Sequence, residues 1–266
     1  MLENPRSPRV RSVAKLAKKD ARQETGMFLL EGPQAVAEAL MYRPQLLVEL
    51  YATPTALERY TDIAATAVDA GVDVEYVSEQ VLEAMADTVT PQGVIAVCHQ
   101  FPTALKDVFA HDIKLIAVLE EVRDPGNLGT IIRAADAAGA DAVVLTGRTV
   151  DLYNPKVVRS TTGSLFHVPI AVGAELGDVL ARARAAGVQT LAADVKGGDL
   201  LTVRNAGELA KPTAWVFGNE ARGLPDEVLE QVDASVSVPI YGHAESMNLA
   251  TAASVCLYES AFALRS

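Results

Sequence analysis

Hydrophobic and polar positions follow two alternating patterns along most of this chain. Short apolar runs such as MFLLE (27–31) and LLVELYA (46–52) are typical of buried strands. Between them, apolar residues spaced three or four positions apart predict helices, with Pro33 in the first turn of one and Ser78 as the N-cap of another. From residue 25 to 100 this alternation predicts a small α/β module.

A second alternation follows residues 101–112, which interrupt the pattern and predict a linker. About six apolar strands are expected between residues 114 and 240, separated by helices. Strands that are apolar almost throughout predict a parallel sheet covered on both faces. The six runs are KLIAVLEEV (114–122), DAVVLTG (141–147), FHVPIAV (166–172), VQTLAAD (188–194), TAWVFG (213–218) and SVSVPI (235–240).

Composition sets limits on the class of protein. The chain has 266 residues, half of them hydrophobic, which suffices for one large or two smaller globular domains. No run of 18 apolar residues occurs, so no membrane span is expected. The N-terminus lacks the apolar stretch of a secretory signal, which favours a cytoplasmic location.

The charge is unevenly distributed. The net charge is −11, yet residues 1–23 carry +5 and the remainder −16. A basic arm on an acidic body favours a local contact with a polyanion, and the alternative is a solvated tail. The candidate RNA-binding residues of the arm are Arg9, Arg11, Lys15, Lys18, Lys19 and Arg22.

The cysteines and histidines of the sequence do not indicate a metal site or a nucleophilic active site. Cys98 and Cys256 each lie in an apolar run, which favours buried free thiols over a disulfide or a metal site. The four histidines show no ligand spacing, so no metal is expected. No phosphate-binding glycine loop of either common type follows a strand.

Three polar loops follow predicted strands, where sites of parallel α/β sheets lie. In the first, Asn127 is placed to cap a helix that carries Arg133 nearly two turns later; the alternative is a surface arginine. The second is a glycine-rich turn around Glu220, alternatively a tight loop with a helix-capping glutamate. The third holds Ser246 and Asn248 before a helix of small residues, and here the alternative is plain N-capping.

Taken together, the three loops resemble motifs 1, 2 and 3 of the SpoU (TrmH-type) RNA ribose 2′-O-methyltransferases of the SPOUT class. The matching segments are NLGTIIR (127–133), FGNEARGLP (217–225) and VPIYGHAESMNLA (238–250). The opening RQETGMFLLEG (22–32) is similar to that family's auxiliary domain, so the resemblance covers nearly the full chain. Met247 stands where the third motif more often has leucine.

The resemblance implies an architecture. It divides the chain into a basic arm (1–24), an RNA substrate-binding domain (25–100), a linker (101–112) and a methyltransferase domain (113–266). The last of these would be a parallel-sheet α/β domain with a C-terminal trefoil knot that binds S-adenosylmethionine and forms a homodimer. The substrate implied is RNA, with ribosomal RNA favoured because the auxiliary domain resembles that of thiostrepton-resistance methylases.

It also implies residue roles. Arg133 would activate the ribose hydroxyl or stabilise its developing charge, since arginine rarely gives up its proton. The other catalytic candidates are Asn127, Glu220, Ser246 and Asn248. The residues expected to line the cofactor pocket are Leu191, Ala192, Ala193, Gly218, Asn219, Gly223, Ile240, Met247, Asn248 and Leu249.

Three other functions compete with this interpretation. The same chemistry on transfer RNA differs only in substrate. A non-catalytic RNA-binding protein of the same fold is disfavoured by the intact polar residues of the three loops. A nucleotide-dependent oxidoreductase is disfavoured by the missing phosphate-binding loop.

Overall fold

The structure is a computed structural model that describes residues 1–266. Its strands are β1 (Met27–Glu31), β2 (Leu47–Ala52), β3 (Val74–Tyr76), β4 (Val94–His99), β5 (Leu115–Glu120), β6 (Ala142–Thr146), β7 (Ile170–Ala174), β8 (Gln189–Asp199), β9 (Thr213–Phe217) and β10 (Ala234–Ser237). Its α-helices are α1 (Pro8–Lys15), α2 (Lys19–Thr25), α3 (Pro33–Tyr42), α4 (Pro54–Arg59), α5 (Thr61–Asp69), α6 (Glu79–Met85), α7 (Leu105–Val108), α8 (Pro125–Ala138), α9 (Pro155–Thr161), α10 (Leu176–Ala185), α11 (Leu200–Asn205), α12 (Asp226–Leu229) and α13 (Leu249–Ala263).

The chain divides into two compact units. The first unit comprises residues 1–101 and 151–167, and the second unit comprises residues 102–150 and 168–266. The sequence placed residues 151–167 in the methyltransferase domain, whereas here they pack within the first unit. Among the contacts that hold them there, Arg22 pairs with Asp151 at 2.6 Å, and Arg159 pairs with Asp87 at 2.9 Å.

The first unit is built on a four-stranded mixed sheet in the order β1-β4-β2-β3. β4 runs antiparallel to both of its neighbours, and β2 runs parallel to β3. The expected strands and helices are present, with Pro33 in the first turn of α3 and the Ser78 hydroxyl accepting from the Val81 N–H to cap α6. The expected α/β module is therefore confirmed for this part of the chain.

The basic N-terminal segment is folded into α1 and α2. Val10, Val13 and Leu16 are buried in a cluster with residues of α6 and the sheet. The spacing of three residues between these apolar positions is typical of a helix. The sequence interpretation considered only the charges of this segment and did not predict the helix. The segment is therefore part of the first unit's core and not a solvated tail.

Two of its cations are used by the fold. The guanidinium of Arg22 is buried and donates to Asp151 and to the carbonyl oxygens of Leu16 and Ala17. Arg9 pairs with Glu49 and Glu75 at 3.2 and 2.9 Å. The expectation that Arg22 contacts RNA is therefore wrong, because its side chain is enclosed. Of the six candidate residues, Arg11, Lys15, Lys18 and Lys19 are exposed and form no ion pair within the chain.

The second unit contains a six-stranded sheet in the order β10-β8-β9-β5-β6-β7, with every pair parallel. This confirms the expected parallel sheet and its number of strands. The strand expected at 166–172 starts later, as β7 at Ile170, because Phe166 is buried in the first unit and stacks on Phe101 with ring centroids 5.6 Å apart.

Strand order brings the first two polar loops together. β5 and β9 are neighbours in the sheet and are in register at Leu119 and Phe217, near their carboxyl ends, so the segments that follow them leave the same edge side by side. The third loop follows β10, which pairs with β8. This edge, formed by the carboxyl ends of the strands, is where ligands of open parallel sheets bind.

The small residues of α13 are explained by close packing within the second unit. This helix lies against α8 and the central strands β9 and β5. Ser260 is buried and its Oγ accepts a hydrogen bond from Nε1 of Trp215 in β9 at 2.9 Å. Alanine and serine on this face let the helix axis approach the sheet and α8 more closely than leucine would. No helix of the structure is both long and apolar enough to cross a bilayer.

Candidate active site

The three polar loops are joined by a chain of side-chain hydrogen bonds. Nδ2 of Asn248 donates to Oδ1 of Asn127 at 3.0 Å, and Nδ2 of Asn127 lies 3.4 Å from Oε1 of Glu220. Asn127 is 93 positions from Glu220 and 121 positions from Asn248 in sequence. One residue from each loop is thus brought into a single junction at the carboxyl edge of the sheet.

Glu220 fixes the second loop to the first. Its carboxylate accepts from the backbone N–H groups of Arg123 and Asp124 at 3.3 and 3.0 Å. Unpaired N–H groups at the start of a helix attract a carboxylate, and these two lie just before α8. The carboxylate therefore holds the segment before α8 and also meets Asn127. The alternative of a helix-capping glutamate is wrong, because the N-cap of α8 is Asp124.

The helix cap of α8 differs from the expectation. Asp124, and not Asn127, is the N-cap, and its Oδ1 accepts from the backbone N–H of Asn127 at 2.8 Å. The prediction of Asn127 as the cap was wrong because the helix begins earlier, at Pro125, a residue favoured in the first turn. Asn127 is instead the third residue of the helix, within its first turn, and its amide side chain is available for Glu220 and Asn248.

Asn219 shapes the turn of the second loop. Its Oδ1 accepts from the N–H groups of Ala221 and Arg222, and its backbone forms a bridge with Gly223. Gly218 makes this turn possible, because a Cβ there would lie 2.5 Å from the carbonyl carbon of Gly223. The backbone N–H groups of Asn219 and Gly223 are therefore each bonded to the other residue's carbonyl oxygen, at 3.2 and 2.8 Å.

Asn248 has two roles at once. Its Oδ1 accepts from the N–H groups of Ala250 and Thr251 at 2.9 and 3.2 Å, so it is the N-cap of α13. Its Nδ2 remains for Asn127. The expected N-cap is therefore present, and so is the contact between loops. The amide oxygen of Asn248 caps the helix while its amide nitrogen binds Asn127.

An apolar cavity lies beside this junction. It has about 380 Å³ of space including its mouth, and Asp194 is the ionisable group on its wall. Four expected site residues line it, namely Ala193, Ile240, Ser246 and Met247. The lining residues that the sequence reasoning missed are Asp194, Val195, Val236, Ser237, Val238 and Ala252.

The position of Asp194 at the end of an apolar strand was a signal that could have identified it. Of the other expected lining residues, Leu191 and Ala192 are buried within β8 and lie outside the lining set. Leu249 begins α13 and also lies outside it. The part of β8 that faces the cavity is therefore the bulge after Ala192 and not the residues before it.

That bulge also brings two chain segments into close approach. β10 pairs first with Leu191 and Ala192 and then with Gly198 and Asp199, so residues 193–197 are looped out. A Cβ at Gly197 would lie 2.4 Å from the backbone of Ser235 and Val236. Only glycine allows this contact, and the contact places the segment before the third loop against the wall of the cavity.

Arg133 and Ser246 are presented to solvent. Arg133 lies on α8 with its side chain exposed, and it forms no hydrogen bond or ion pair within the chain. Ser246 is exposed at the mouth of the cavity. The structure therefore joins Asn127, Glu220 and Asn248 directly and leaves Arg133 and Ser246 outside that hydrogen-bonded chain.

The two cysteines lie outside the site. Cys98 and Cys256 are buried, and burial raises the pKa of each to about 12, which keeps both as neutral thiols. No group of three or more His, Cys, Asp or Glu residues is arranged to hold a metal ion.

Two family models match this chain. The SpoU rRNA Methylase family matches residues 114–258, and a model described as RNA 2′-O ribose methyltransferase substrate binding matches residues 29–104. The first match alone covers more than half of the chain and contains all three loops.

Full-length relatives agree with those matches. The chain is 35% identical to the 23S rRNA (guanosine(2553)-2′-O)-methyltransferase RlmP of Bacillus subtilis, over 97% of each protein. It is 30% identical to the 23S rRNA (uridine(2479)-2′-O)-methyltransferase of Streptomyces viridochromogenes, over 93% of this chain and 86% of the relative. The crystal structure of an AdoMet-bound rRNA methyltransferase from Sinorhizobium meliloti superposes with a TM-score of 0.81 at 33% identity, over 97% of this chain and 96% of that one.

Proposed function

The chain belongs to the SpoU rRNA methylase family, and we propose that it methylates the 2′-hydroxyl of a ribose in ribosomal RNA. It is an RNA ribose 2′-O-methyltransferase whose cofactor is S-adenosylmethionine. The observation that carries the proposal is the hydrogen-bonded junction of Asn127, Glu220 and Asn248 beside the apolar cavity. Related proteins named for 23S rRNA support the choice of substrate.

The cavity beside the junction suits the cofactor. Val236, Val238 and Met247 offer apolar surface to an adenine ring, and ligand sites of this kind combine such surface with a few polar groups. Asp194 contributes a carboxylate whose Oδ1 is bonded to the Lys196 N–H and whose Oδ2 has no partner in the chain. A free carboxylate oxygen complements a cationic ligand. When bound, S-adenosylmethionine supplies a methyl group already activated on a sulfonium sulfur.

Arg133 would act on the substrate RNA. Its guanidinium stays protonated near neutral pH, so it stabilises negative charge and does not remove a proton. In the exposed position that it has here, it is available to bind the phosphate next to the target ribose and to lower the cost of charge developing on the 2′ oxygen. Such electrostatic stabilisation fits a reaction whose nucleophile is a poorly acidic hydroxyl.

Asn127, Glu220 and Asn248 would position rather than react. Their hydrogen bonds fix the start of α8, the second loop and the start of α13 relative to one another. Holding the RNA-binding and cofactor-binding loops in one geometry lowers the entropic cost of aligning the reactants. Ser246, exposed at the cavity mouth, would contact whichever substrate group enters there.

RNA binding away from the reaction centre is assigned to the first unit. Arg11, Lys15, Lys18 and Lys19 keep exposed side chains on or beside α1 and α2. Arg9 retains partial exposure but is neutralised by Glu49 and Glu75. These four cations would neutralise phosphates of the RNA. The rest of the protein is acidic overall and would not attract phosphates.

A C-terminal trefoil knot and a homodimer are also proposed. The looped-out residues 193–197 and the close approach of β10 at Gly197 support a threaded segment before α13. Tyr258 and Phe262 lie exposed on α13 with ring centroids 5.5 Å apart, and this apolar surface supports a dimer contact through that helix. A cytoplasmic location fits a ribosomal RNA substrate and remains a prediction.

The test is methyl transfer to separated RNA pools. The purified protein is incubated with methyl-labelled S-adenosylmethionine and, in parallel, ribosomal RNA and transfer RNA from cells that lack this gene. We expect label in ribosomal RNA only, at a nucleotide resistant to alkaline cleavage, because a methylated 2′ oxygen cannot attack the adjacent phosphate. Label confined to transfer RNA would show that transfer RNA, and not ribosomal RNA, is the substrate. Label on a base would refute ribose methylation.

A further inference from the structure

A second cavity, with about 750 Å³ of space including its mouth, lies next to the three-loop junction, within the second unit. Its walls are formed by the segments that leave β5 and β9 side by side. The lining residues are Glu120, Glu121, Asn219, Arg222, Gly223 and Pro225. Asn219 directly precedes Glu220 and Gly223 lies near Asp194 of the cofactor cavity, so the space adjoins both parts of the proposed site.

Glu120 is the unusual residue of this cavity. It is the last residue of β5, its Oε2 is buried, and its carboxylate makes no hydrogen bond or ion pair within the chain. Gly147 leaves it room, because a Cβ there would lie 3.0 Å from Oε1. A buried carboxylate oxygen without a donor is costly, so it indicates a donor that arrives from outside the chain.

The neighbouring charged groups are already engaged. Glu121 pairs with Arg123 at 3.0 Å and with Arg222 at 2.9 Å. Its backbone is left-handed, with φ of 51°, which turns its side chain toward those two arginines while Glu120 lines the cavity. Glu120 is therefore the carboxylate of this cavity that no cation of the chain neutralises.

We propose that this cavity receives the base of the nucleotide being methylated and that Glu120 selects guanine. The inference rests on the proposed function, since it names the substrate of the same site. A carboxylate only accepts hydrogen bonds, through two oxygens. Among the four RNA bases, guanine alone offers two adjacent donors, N1–H and the N2 amino group, on its Watson–Crick edge.

The other bases fit this carboxylate less well. Adenine and cytosine place an acceptor nitrogen beside their amino group, and uracil flanks its single N–H with two carbonyl oxygens. Each would leave a carboxylate oxygen desolvated or facing another acceptor, and a site built for hydrogen bonding rejects ligands that leave it unpaired. Unpaired RNA bases are commonly read on this edge.

Arg222 completes the cavity from its rim. Its side chain is 67% exposed and held at one end by Glu121. A planar guanidinium in that position is suited to stack on the face of a base whose edge is bound by Glu120. Two relatives differ in the base of their named target, which is guanosine for one and uridine for the other.

The first experiment is equilibrium binding, which does not depend on methyl transfer. Fluorescent unstructured oligouridylates carrying one central guanosine or one central inosine are titrated with the whole protein bound to S-adenosyl homocysteine. Inosine lacks only the N2 amino group. We expect about tenfold weaker binding of the inosine oligomer, as for the loss of one charged hydrogen bond. Equal binding of the two oligomers by the wild type would overturn the proposal.

The second arm uses Glu120→Gln, which keeps the shape of the side chain and replaces one acceptor by a donor. The variant should bind the guanosine and inosine oligomers equally, with unchanged S-adenosyl homocysteine affinity as the check of folding. Glu230→Gln is the matched control, because Glu230 is exposed in the same unit and lies outside the cavity. If Glu120→Gln still bound the guanosine oligomer more tightly than the inosine oligomer, a residue other than Glu120 would be responsible for the preference.

The third arm reads the product. Ribosomal RNA labelled by the wild type is digested to nucleosides, and 2′-O-methylguanosine is the expected labelled species. Labelled 2′-O-methyluridine, methylcytidine or methyladenosine would refute guanine selection while leaving ribose methylation intact. The absence of any label would instead count against the proposed function, and the binding arms would still decide on Glu120.

Discussion

Asn248 and Asn127 are bonded through one end of each amide, with Nδ2 of Asn248 donating to Oδ1 of Asn127 at 3.0 Å. The other end of Asn248 caps α13, and the other end of Asn127 faces Glu220. Asn248 therefore serves stability through its oxygen and the geometry of the site through its nitrogen. Replacing one atom at a time separates the two contributions.

Asn248→Asp should retain stability and lose activity. Aspartate is as good an N-cap as asparagine, so the free energy of unfolding should change by less than ~0.5 kcal/mol. The carboxylate has no donor for Asn127 and repels its Oδ1, so we expect methyl transfer to fall by roughly 10²-fold as the loops lose their alignment. Urea unfolding and single-turnover methylation measure the two effects.

Asn248→Ala is the companion variant. It removes both hydrogen bonds, so it should lose activity to the same extent and also about 1 kcal/mol of unfolding free energy. If the aspartate variant were fully active, the bond between Asn248 and Asn127 would have no part in positioning the site.

Arg133→Ala should abolish most of the activity without affecting the fold. Its side chain is exposed and unpaired within the chain, so the melting temperature and S-adenosylmethionine affinity should stay unchanged. Removing a group that stabilises developing charge typically lowers kcat by about 10²–10³-fold. Arg182→Ala is the control, since Arg182 is an exposed helical arginine of the same unit. Equal losses in the two variants would end the assignment of Arg133.

The sequence was sufficient for the order of elements and for which loops carry polar residues. Apolar runs such as KLIAVLEEV marked the strands of the parallel sheet, because strands buried on both faces have no polar alternation to obscure them. The three loops were found through their strand ends. Neither inference needed knowledge of distant contacts.

The details that sequence missed all depend on such contacts. Asp124 became the cap of α8 because Pro125 starts the helix, and only then could Asn127 reach two other loops. Residues 151–167 joined the first unit through Arg22, whose burial cannot be read from a basic segment. The role of Glu120 depends on the empty space beside it, which periodicity does not describe.

Gly218→Ala should disrupt the second loop. The added methyl would lie 2.5–2.7 Å from backbone atoms of Gly223 and Leu224, which cannot move without opening the turn. We expect a loss of about 1–3 kcal/mol in unfolding free energy, and at least tenfold weaker S-adenosylmethionine binding by calorimetry. Gly177→Ala is the control, because a Cβ there meets no atom within 4 Å. Normal cofactor binding by Gly218→Ala would show that this turn does not support the pocket.

The two thiols should be unreactive in the native protein and should make stability depend on alkaline pH. Burial raises the pKa of Cys98 and Cys256 from about 9 to about 12, so the unfolded chain releases these protons first. The free energy of unfolding should therefore decrease as the pH rises from about 9 toward 12. The double variant Cys98→Ala, Cys256→Ala should show a smaller decrease, and rapid labelling of both thiols in the native state at pH 8 would contradict their burial.

The basic segment supplies a final contrast, between cations that hold the fold and cations that remain for RNA. Changing Arg11, Lys15, Lys18 and Lys19 together to Gln should leave unfolding unchanged, because all four are exposed. The slope of log affinity for RNA against log salt should shrink by up to ~3, at about 0.7 per lost contact to single-stranded phosphate. Fluorescence titrations over a range of salt concentrations measure that slope.

Arg22→Gln should lower stability and leave the salt dependence of RNA binding unchanged. Its loss leaves Asp151 and two carbonyl oxygens without their donor, so the free energy of unfolding should fall by about 3 kcal/mol. Since Arg22 is buried, the salt slope of the folded variant should match that of the wild type. A reduced slope in Arg22→Gln, or an unchanged slope in the fourfold variant, would mean that burial does not determine which cations of this segment contact RNA.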